Sequence, residues 1–146
     1  MDNIYNNMYN MHKAKRADNG KWVEGYLMDS NCINIPYEET GGRFDEPIEI
    51  DPETICLCTG KEDISGKIIY QGDIIESHLS NGQISALNLV IKYGAYKAYC
   101  PEDKEYMDSV GFYAEAEGYQ DMPIGPTEEY AKVIGNIYDN PELLAE

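Results

Sequence analysis

The chain has 146 residues and a formal net charge of −16, from 27 acidic side chains against 11 lysines and arginines. This length suits one domain, or two small subdomains, with a hydrophobic core. The acidity argues against direct binding of nucleic acid, because such binding depends on cations that displace counterions from phosphates. No apolar run is long enough to form a transmembrane helix, so we expect no membrane partner.

The acidity itself has two interpretations. Residues 102–146 hold 12 acidic side chains against two lysines, and residues 38–53 hold seven against one arginine. A charged surface keeps a protein soluble, which is the simpler interpretation. The alternative is a surface that imitates nucleic acid and occupies a host protein that binds DNA or RNA.

The first ten residues are rich in Asn, Met and Tyr. They lack the basic start and apolar stretch of a secretory signal, so we expect a cytoplasmic protein. Residues 1–10 are predicted to form a mobile extension, or a strand that pairs with another subunit.

A hairpin turn is predicted at the Asn-Gly dipeptide of residues 19–20, because both central positions of a type I′ turn need positive φ. In the strand that follows, Trp22 and Tyr26 share one face, and Val23 and Leu27 share the other. We expect the second face to lie on the core.

The middle of the chain alternates strands with loops. A polar loop is predicted over residues 36–47, followed by strands at Ile48–Ile50 and Thr54–Thr59 and a buried strand at Ile84–Tyr93. The segment PEDKEYMDS, residues 101–109, is expected to form one helical turn.

The segment SGKIIYQGDIIES raises the question of whether Asp73 belongs to a site. A lone carboxylate is weak evidence, because metal and acid–base sites need two or three converging groups. We interpret Gly72 as a turn residue and Asp73 as the start of the next strand, with its carboxylate accepting hydrogen bonds from nearby amides.

The C-terminal segment has two local signals. Gly135 lies inside the β-rich stretch YAKVIGNIY and indicates a bulge or a close backbone approach. Asn140 and Pro141 are typical of a helix start, so a short closing helix is predicted.

Residues that often carry chemistry form no recognisable motif. Cys56 and Cys58 share one face of a predicted strand and are expected to be buried, inert thiols. His12 and His78 share no short motif with a serine, a cysteine or an acid. We therefore predict no enzyme, no metal and no cofactor; a small-ligand or metal-dependent enzyme resting on Asp73, the cysteines or His78 remains the alternative.

Thirteen tyrosines are many for this length. Tyrosine is enriched at interfaces, although ordinary packing at sheet edges would also account for them. The predicted interface residues are Trp22, Tyr26, Tyr93, Tyr96 and Tyr99. A basic cluster at residues 13–21 would meet the acidic C-terminal half of another copy, which favours a homo-oligomer of head-to-tail type.

Many short strands separated by turns predict a mainly β fold, a small barrel or sandwich of antiparallel strands, ending in the short helix. The chain is expected to be a single domain over residues 1–146, with two β subdomains over about 1–60 and 61–146 as an alternative division.

Four blocks of the chain resemble, in order, the YopX-like family of phage and prophage proteins: KRADNGKWVEGYL (Lys15–Leu27), IDPETI (Ile50–Ile55), TGKEDISGKIIYQGDII (Thr59–Ile75) and VIGNIYDNPELL (Val133–Leu144). The resemblance implies SH3-like barrel or roll elements and a setting in mobile elements of Gram-positive bacteria. It implies no activity and no catalytic residue. The leading hypothesis is a non-enzymatic phage accessory protein that contacts itself or a host protein, and the alternative is the acidic decoy.

Overall fold

The computed structural model describes residues 11–34, 47–77 and 87–144. The predictions for the N-terminal extension, for the polar loop up to residue 46, for His78 and for residues 84–86 lie outside these ranges. The chain divides into two compact units, Met1–Gly60 and Lys61–Glu146, which are described separately.

The described residues confirm a mainly β fold of antiparallel strands. The strands are β1 (Met11–Lys15), β2 (Trp22–Asp29), β3 (Cys32–Asn34), β4 (Ile48–Glu49), β5 (Cys56–Glu62), β6 (Ile68–Tyr70), β7 (Asp73–Ser77), β8 (Leu87–Cys100), β9 (Glu105–Glu115), β10 (Met122–Pro123) and β11 (Ala131–Asn136). Helical structure in the described ranges is short: 3-10 turns at Pro52–Thr54 and Pro141–Leu144, and one α-helical turn, α1, at Thr127–Tyr130. None of these helices is long and apolar enough to cross a membrane.

In the first unit, antiparallel strands pair in the order β4-β3-β2-β1-β5, and β5 ends two residues beyond this unit, at Glu62. Ala14, Ile33 and Ile50 are its buried centre, and Val23 and Leu27 of β2 pack against them. The predicted core face of β2 is therefore confirmed.

The turn between β1 and β2 differs from the predicted type I′ turn. The Arg16 amide donates to the Lys21 carbonyl at 2.8 Å, so a four-residue loop connects the strands. Gly20 has a φ of +73°, but Asn19 does not have positive φ. Instead, the Asn19 side chain accepts a hydrogen bond from the Lys21 amide at 2.9 Å. This local bond stabilises the longer loop at the expense of the two-residue turn.

The second unit contains a five-stranded antiparallel sheet in the order β10-β9-β8-β7-β11. Its core is apolar and includes Ile69, Ile75, Leu89, Ile91, Ala114, Ile124 and Ala131. The hydrogen-bond register of β11 shifts between Val133 and Gly135, which confirms the predicted bulge. A Cβ on Gly135 would lie 2.5 Å from the Asn140 side-chain oxygen, so the predicted close approach is also present.

The predicted closing helix is a 3-10 turn, Pro141–Leu144. The Leu143 amide donates to the Asn140 carbonyl at 3.0 Å. The Asn140 side-chain oxygen lies 3.2 Å from the Asn136 amide and accepts its hydrogen bond. Asn140 therefore ties the end of β11 to the turn that follows it.

The region from residue 87 to residue 115 differs most from its prediction. The strand that was expected to end at Tyr93 continues to Cys100, and residues 105–109 belong to β9 instead of a helical turn. Gly94 and Gly111 lie opposite each other in this hairpin. The rings of Tyr96 and Tyr113, which flank the glycine pair on one face, stack at 4.8 Å. Aromatic rings that cover a glycine pair stabilise a strand where the glycines alone would weaken it.

Candidate interaction surface

Asp73 begins β7 and is 1% exposed. Its Oδ2 accepts a hydrogen bond from the Tyr70 amide at 2.8 Å, across a turn in which Gly72 has a φ of +89°. The Gly72 amide in turn donates to the Ile91 carbonyl at 2.8 Å. The carboxylate therefore closes the turn between β6 and β7, as the turn interpretation predicted.

Asp63 is a second buried carboxylate, 3% exposed, and the sequence did not single it out. Its Oδ1 accepts from the Ser65 amide at 2.9 Å, the Ser65 hydroxyl at 2.7 Å and the Lys67 amide at 2.9 Å. Its Oδ2 accepts from the Val133 amide at 2.9 Å. The bonds to Ser65 and Lys67 are a local turn signature, but the bond to Val133 depends on the tertiary fold.

The environment of Asp63 makes stability depend on pH. Burial raises the pKa of this carboxyl group, but the hydrogen bonds from Val133, Ser65 and Lys67 outweigh burial and leave the pKa below its ordinary value. A carboxylate with a lowered folded-state pKa contributes stability above its unfolded pKa of about 3.9, and that contribution disappears as the pH falls through the folded pKa.

We therefore expect the free energy of unfolding of the wild type to decrease below about pH 4 more steeply than that of Asp63→Asn. Urea unfolding at neutral and acidic pH measures both slopes. Glu102→Gln, which removes an exposed acid, serves as the matched control and should follow the wild type. Equal acid slopes for the wild type and Asp63→Asn would contradict the role given to this carboxylate.

The cysteines and histidines do not assemble into a site in the described residues. Cys56 and Cys58 are buried, as predicted, and the four cysteines form no disulfide. His12 lies on β1 opposite Gly25 and Leu57. Within the described ranges, no three His, Cys, Asp or Glu side chains are grouped so that they would hold a metal ion.

Trp22 and Tyr26 lie on the face of β2 opposite to the core residues Val23 and Leu27, and both are half-buried. The ammonium groups of Lys13 and Lys15 lie 4.8 and 5.5 Å from the centre of the Trp22 ring. Cation–π contact of this kind favours a lysine over an aromatic face. Trp22 is therefore covered in part by the predicted basic cluster.

The tyrosines of β8 belong to a two-stranded hairpin that extends beyond the sheet. β7 pairs with β8 only as far as Val90, and β10 pairs with β9 only at Tyr113 and Ala114. Between these limits, residues 93–112 pair only with each other among the described strands. We call residues 93–112 the arm.

One face of the arm continues the core face of the sheet. Leu89 and Ile91 of β8 and Ala114 of β9 are buried in the core. The next residues on the same face are what we call the arm face: Tyr93, Ala95, Lys97, Tyr99, Tyr106, Asp108, Val110 and Phe112. Tyr93 is 49% exposed, Tyr106 55% and Val110 75%, so the core-side face of the hairpin becomes a surface.

Side-chain contacts across the two strands organise the arm face. Tyr93 and Phe112 meet edge to face at 4.9 Å, and Tyr99 and Tyr106 lie 5.1 Å apart. Lys97 and Asp108 form an ion pair between these two aromatic pairs. The arm face is thus a row of cross-strand pairs, each of which stabilises the hairpin.

The structure brings only some of the predicted interface residues together. Tyr93 and Tyr99 share the arm face, whereas Tyr96 lies on the opposite face and stacks on Tyr113. Side chains three residues apart in a strand point to opposite faces. Val110 was missed, although the alternation of residues 106, 108, 110 and 112 is the signal that would have found it.

These features define a mainly β protein with two antiparallel sheets, in which the sheet of the second unit carries an exposed hairpin arm. The family model described as YopX protein matches residues 3–145. The chain therefore belongs to the YopX family, as the four blocks of residues indicated. No curated protein matches it.

Proposed function

We propose that this protein is a non-enzymatic accessory protein of phages and prophages, which acts in the cytoplasm through contacts with proteins, including other copies of itself. The arm is the observation that carries this proposal. It exposes tyrosines and Val110 on a surface that continues a hydrophobic core. Exposed apolar and aromatic patches of this kind are typical of protein interfaces.

In the described part of the chain, two carboxylates that could have served an enzyme have structural partners instead. The carboxylates of Asp63 and Asp73 accept hydrogen bonds from main-chain amides in turns. Cys56 and Cys58 are buried. The resemblance to the family supports the phage setting.

The test compares the wild-type chain with the double variant Tyr99→Ser/Tyr106→Ser. Light scattering at micromolar concentration measures self-association, and affinity capture from a Gram-positive host lysate, followed by mass spectrometry, identifies other partners. We expect the wild type to self-associate or to retain a specific partner, and the variant to lose at least about tenfold in affinity, because aromatic anchors carry much of the binding energy of an interface.

A strictly monomeric wild type that retains no partner would contradict the proposal. The acidic decoy would be favoured instead if the wild type and the variant retain the same nucleic-acid-binding protein equally well and if salt releases it from both. Circular dichroism on both chains serves as the folding control.

A further inference from the structure

Among the described residues, no second layer covers the arm face. A hairpin of two strands is marginally stable alone and requires packing on one face or additional strands. In the sheet, the equivalent face is covered by the core around Leu89, Ile91 and Ala114. On the arm, Tyr93, Tyr106 and Val110 remain about half exposed or more. An additional surface is needed to complete this layer.

The charge on the arm face limits the kind of partner surface that would pack against it. The arm face contains one lysine and one aspartate, which pair with each other, and therefore has no net charge in a chain whose formal charge is −16. A basic protein or a nucleic acid would gain little from a neutral face. A second arm face offers the same aromatic groups and one charge of each sign, so it matches the first in both polarity and charge.

We infer that the arm faces of two copies of this protein pack against each other and form a homodimer. This inference rests on the proposed function, because it names the partner and the surface of the same contacts. In a two-fold dimer every contact occurs twice. Two arm faces would bury Val110 and the aromatic pairs on both sides, and they would bring two lysines and two aspartates together near the middle of the arm.

The first experiment compares two matched substitutions on β9. Val110→Glu places a charge on the arm face, and Met107→Glu places the same charge on the opposite face of the same strand, where Met107 is 51% exposed. Sedimentation equilibrium of the full chain is expected to show a dimer for the wild type and for Met107→Glu. For Val110→Glu we expect the dimer dissociation constant to rise at least about tenfold, because the two-fold dimer would have to bury one introduced glutamate from each copy.

The second experiment uses two charge-reversal variants, one at Lys97 and one at Asp108, so its result does not depend on a single substitution. Lys97→Asp gives an arm face with two acids, and Asp108→Lys gives one with two lysines. Each variant alone is expected to dissociate, because like charges meet across the dimer. An equimolar mixture is expected to form a heterodimer that weakens as salt is added. The ion pair within each arm is broken in both variants, so association of the mixture reports contact between copies.

The outcomes separate this inference from the proposed function. A wild-type dimer that Val110→Glu leaves intact, or a mixture of charge variants that stays monomeric, would overturn the arm-face dimer while leaving self-association in place. A monomeric wild type that still retains a host protein would also overturn the dimer but would support the proposed function. Circular dichroism and thermal unfolding establish that each variant is folded.

Discussion

Replacing Gly25 with alanine is expected to destabilise the first unit by about 3 kcal/mol. Gly25 is buried in β2, and a Cβ at this position would lie 2.2 Å from the main-chain oxygen of Asn34 and 2.9 Å from the Ile33 side chain. The first of these atoms belongs to the backbone of β3 and is unable to rotate away. The substitution therefore forces β2 and β3 apart and disturbs the core around Ile33.

Urea unfolding measures the loss of stability, and hydrogen exchange locates it. The amides that join β2 to β3 are expected to exchange faster in Gly25→Ala. Gly20→Ala is the matched control, because Gly20 has a φ of +73° and open space around it. That substitution costs only the left-handed conformation, about 1 kcal/mol. If Gly20→Ala is as destabilising as Gly25→Ala, the close approach of β2 and β3 is not the reason why Gly25 does not tolerate a side chain.

Asp63→Ala is expected to destabilise the second unit by about 3 kcal/mol. The substitution removes the acceptor of four hydrogen bonds and leaves the Val133 amide without the carboxylate that it donates to. A buried donor that loses its acceptor costs its full desolvation free energy. Because Val133 adjoins the bulge of β11, the loss also reaches the edge of the five-stranded sheet.

The control for Asp63 is Ser65→Ala, which removes the hydroxyl donor at 2.7 Å and leaves the main-chain bonds to Asp63 in place. Its cost is expected to be about 1 kcal/mol. Urea unfolding at neutral pH compares the two variants. A value for Asp63→Ala within the range of ordinary surface substitutions, about 0.5 kcal/mol, would show that the four bonds contribute little.

The variants that test stability and the variants that test association lie in different parts of the chain. Gly25 and Asp63 lie outside residues 93–112, so their variants test the fold without changing the arm face. Val110 and Lys97 lie on the arm face, and their substitution tests association instead. A variant that unfolds a unit and a variant that dissociates a dimer should therefore be distinguished by combining urea unfolding with sedimentation.

Several local features followed from neighbouring residues alone. Glycine, asparagine, aspartate and proline residues determine the backbone within a few positions along the chain. They set the strand start at Asp73, the bulge at Gly135 and the 3-10 turn at Pro141–Leu144. The core face of β2 followed from the strand alternation that places Val23 and Leu27 on one face and Trp22 and Tyr26 on the other. Such signals are short-range, and they survive folding because the backbone preferences that produce them are local.

The turn at residues 16–21 shows where local reasoning was too simple. An Asn-Gly dipeptide is the strongest signal for a type I′ turn, yet the Asn19 side chain satisfies the Lys21 amide and the loop becomes longer. Two local preferences competed, and the side-chain hydrogen bond prevailed.

The mainly β class, the family and the core face of β2 follow from residue types and their order alone. Two features of the arm and its support were settled only by the three-dimensional fold. Gly94 lies opposite Gly111, so the strand that was expected to end at Tyr93 continues into one long hairpin, and Asp63 accepts a hydrogen bond from the Val133 amide. Each depends on which strand lies beside which, and strand register is set by contacts between residues far apart in the chain.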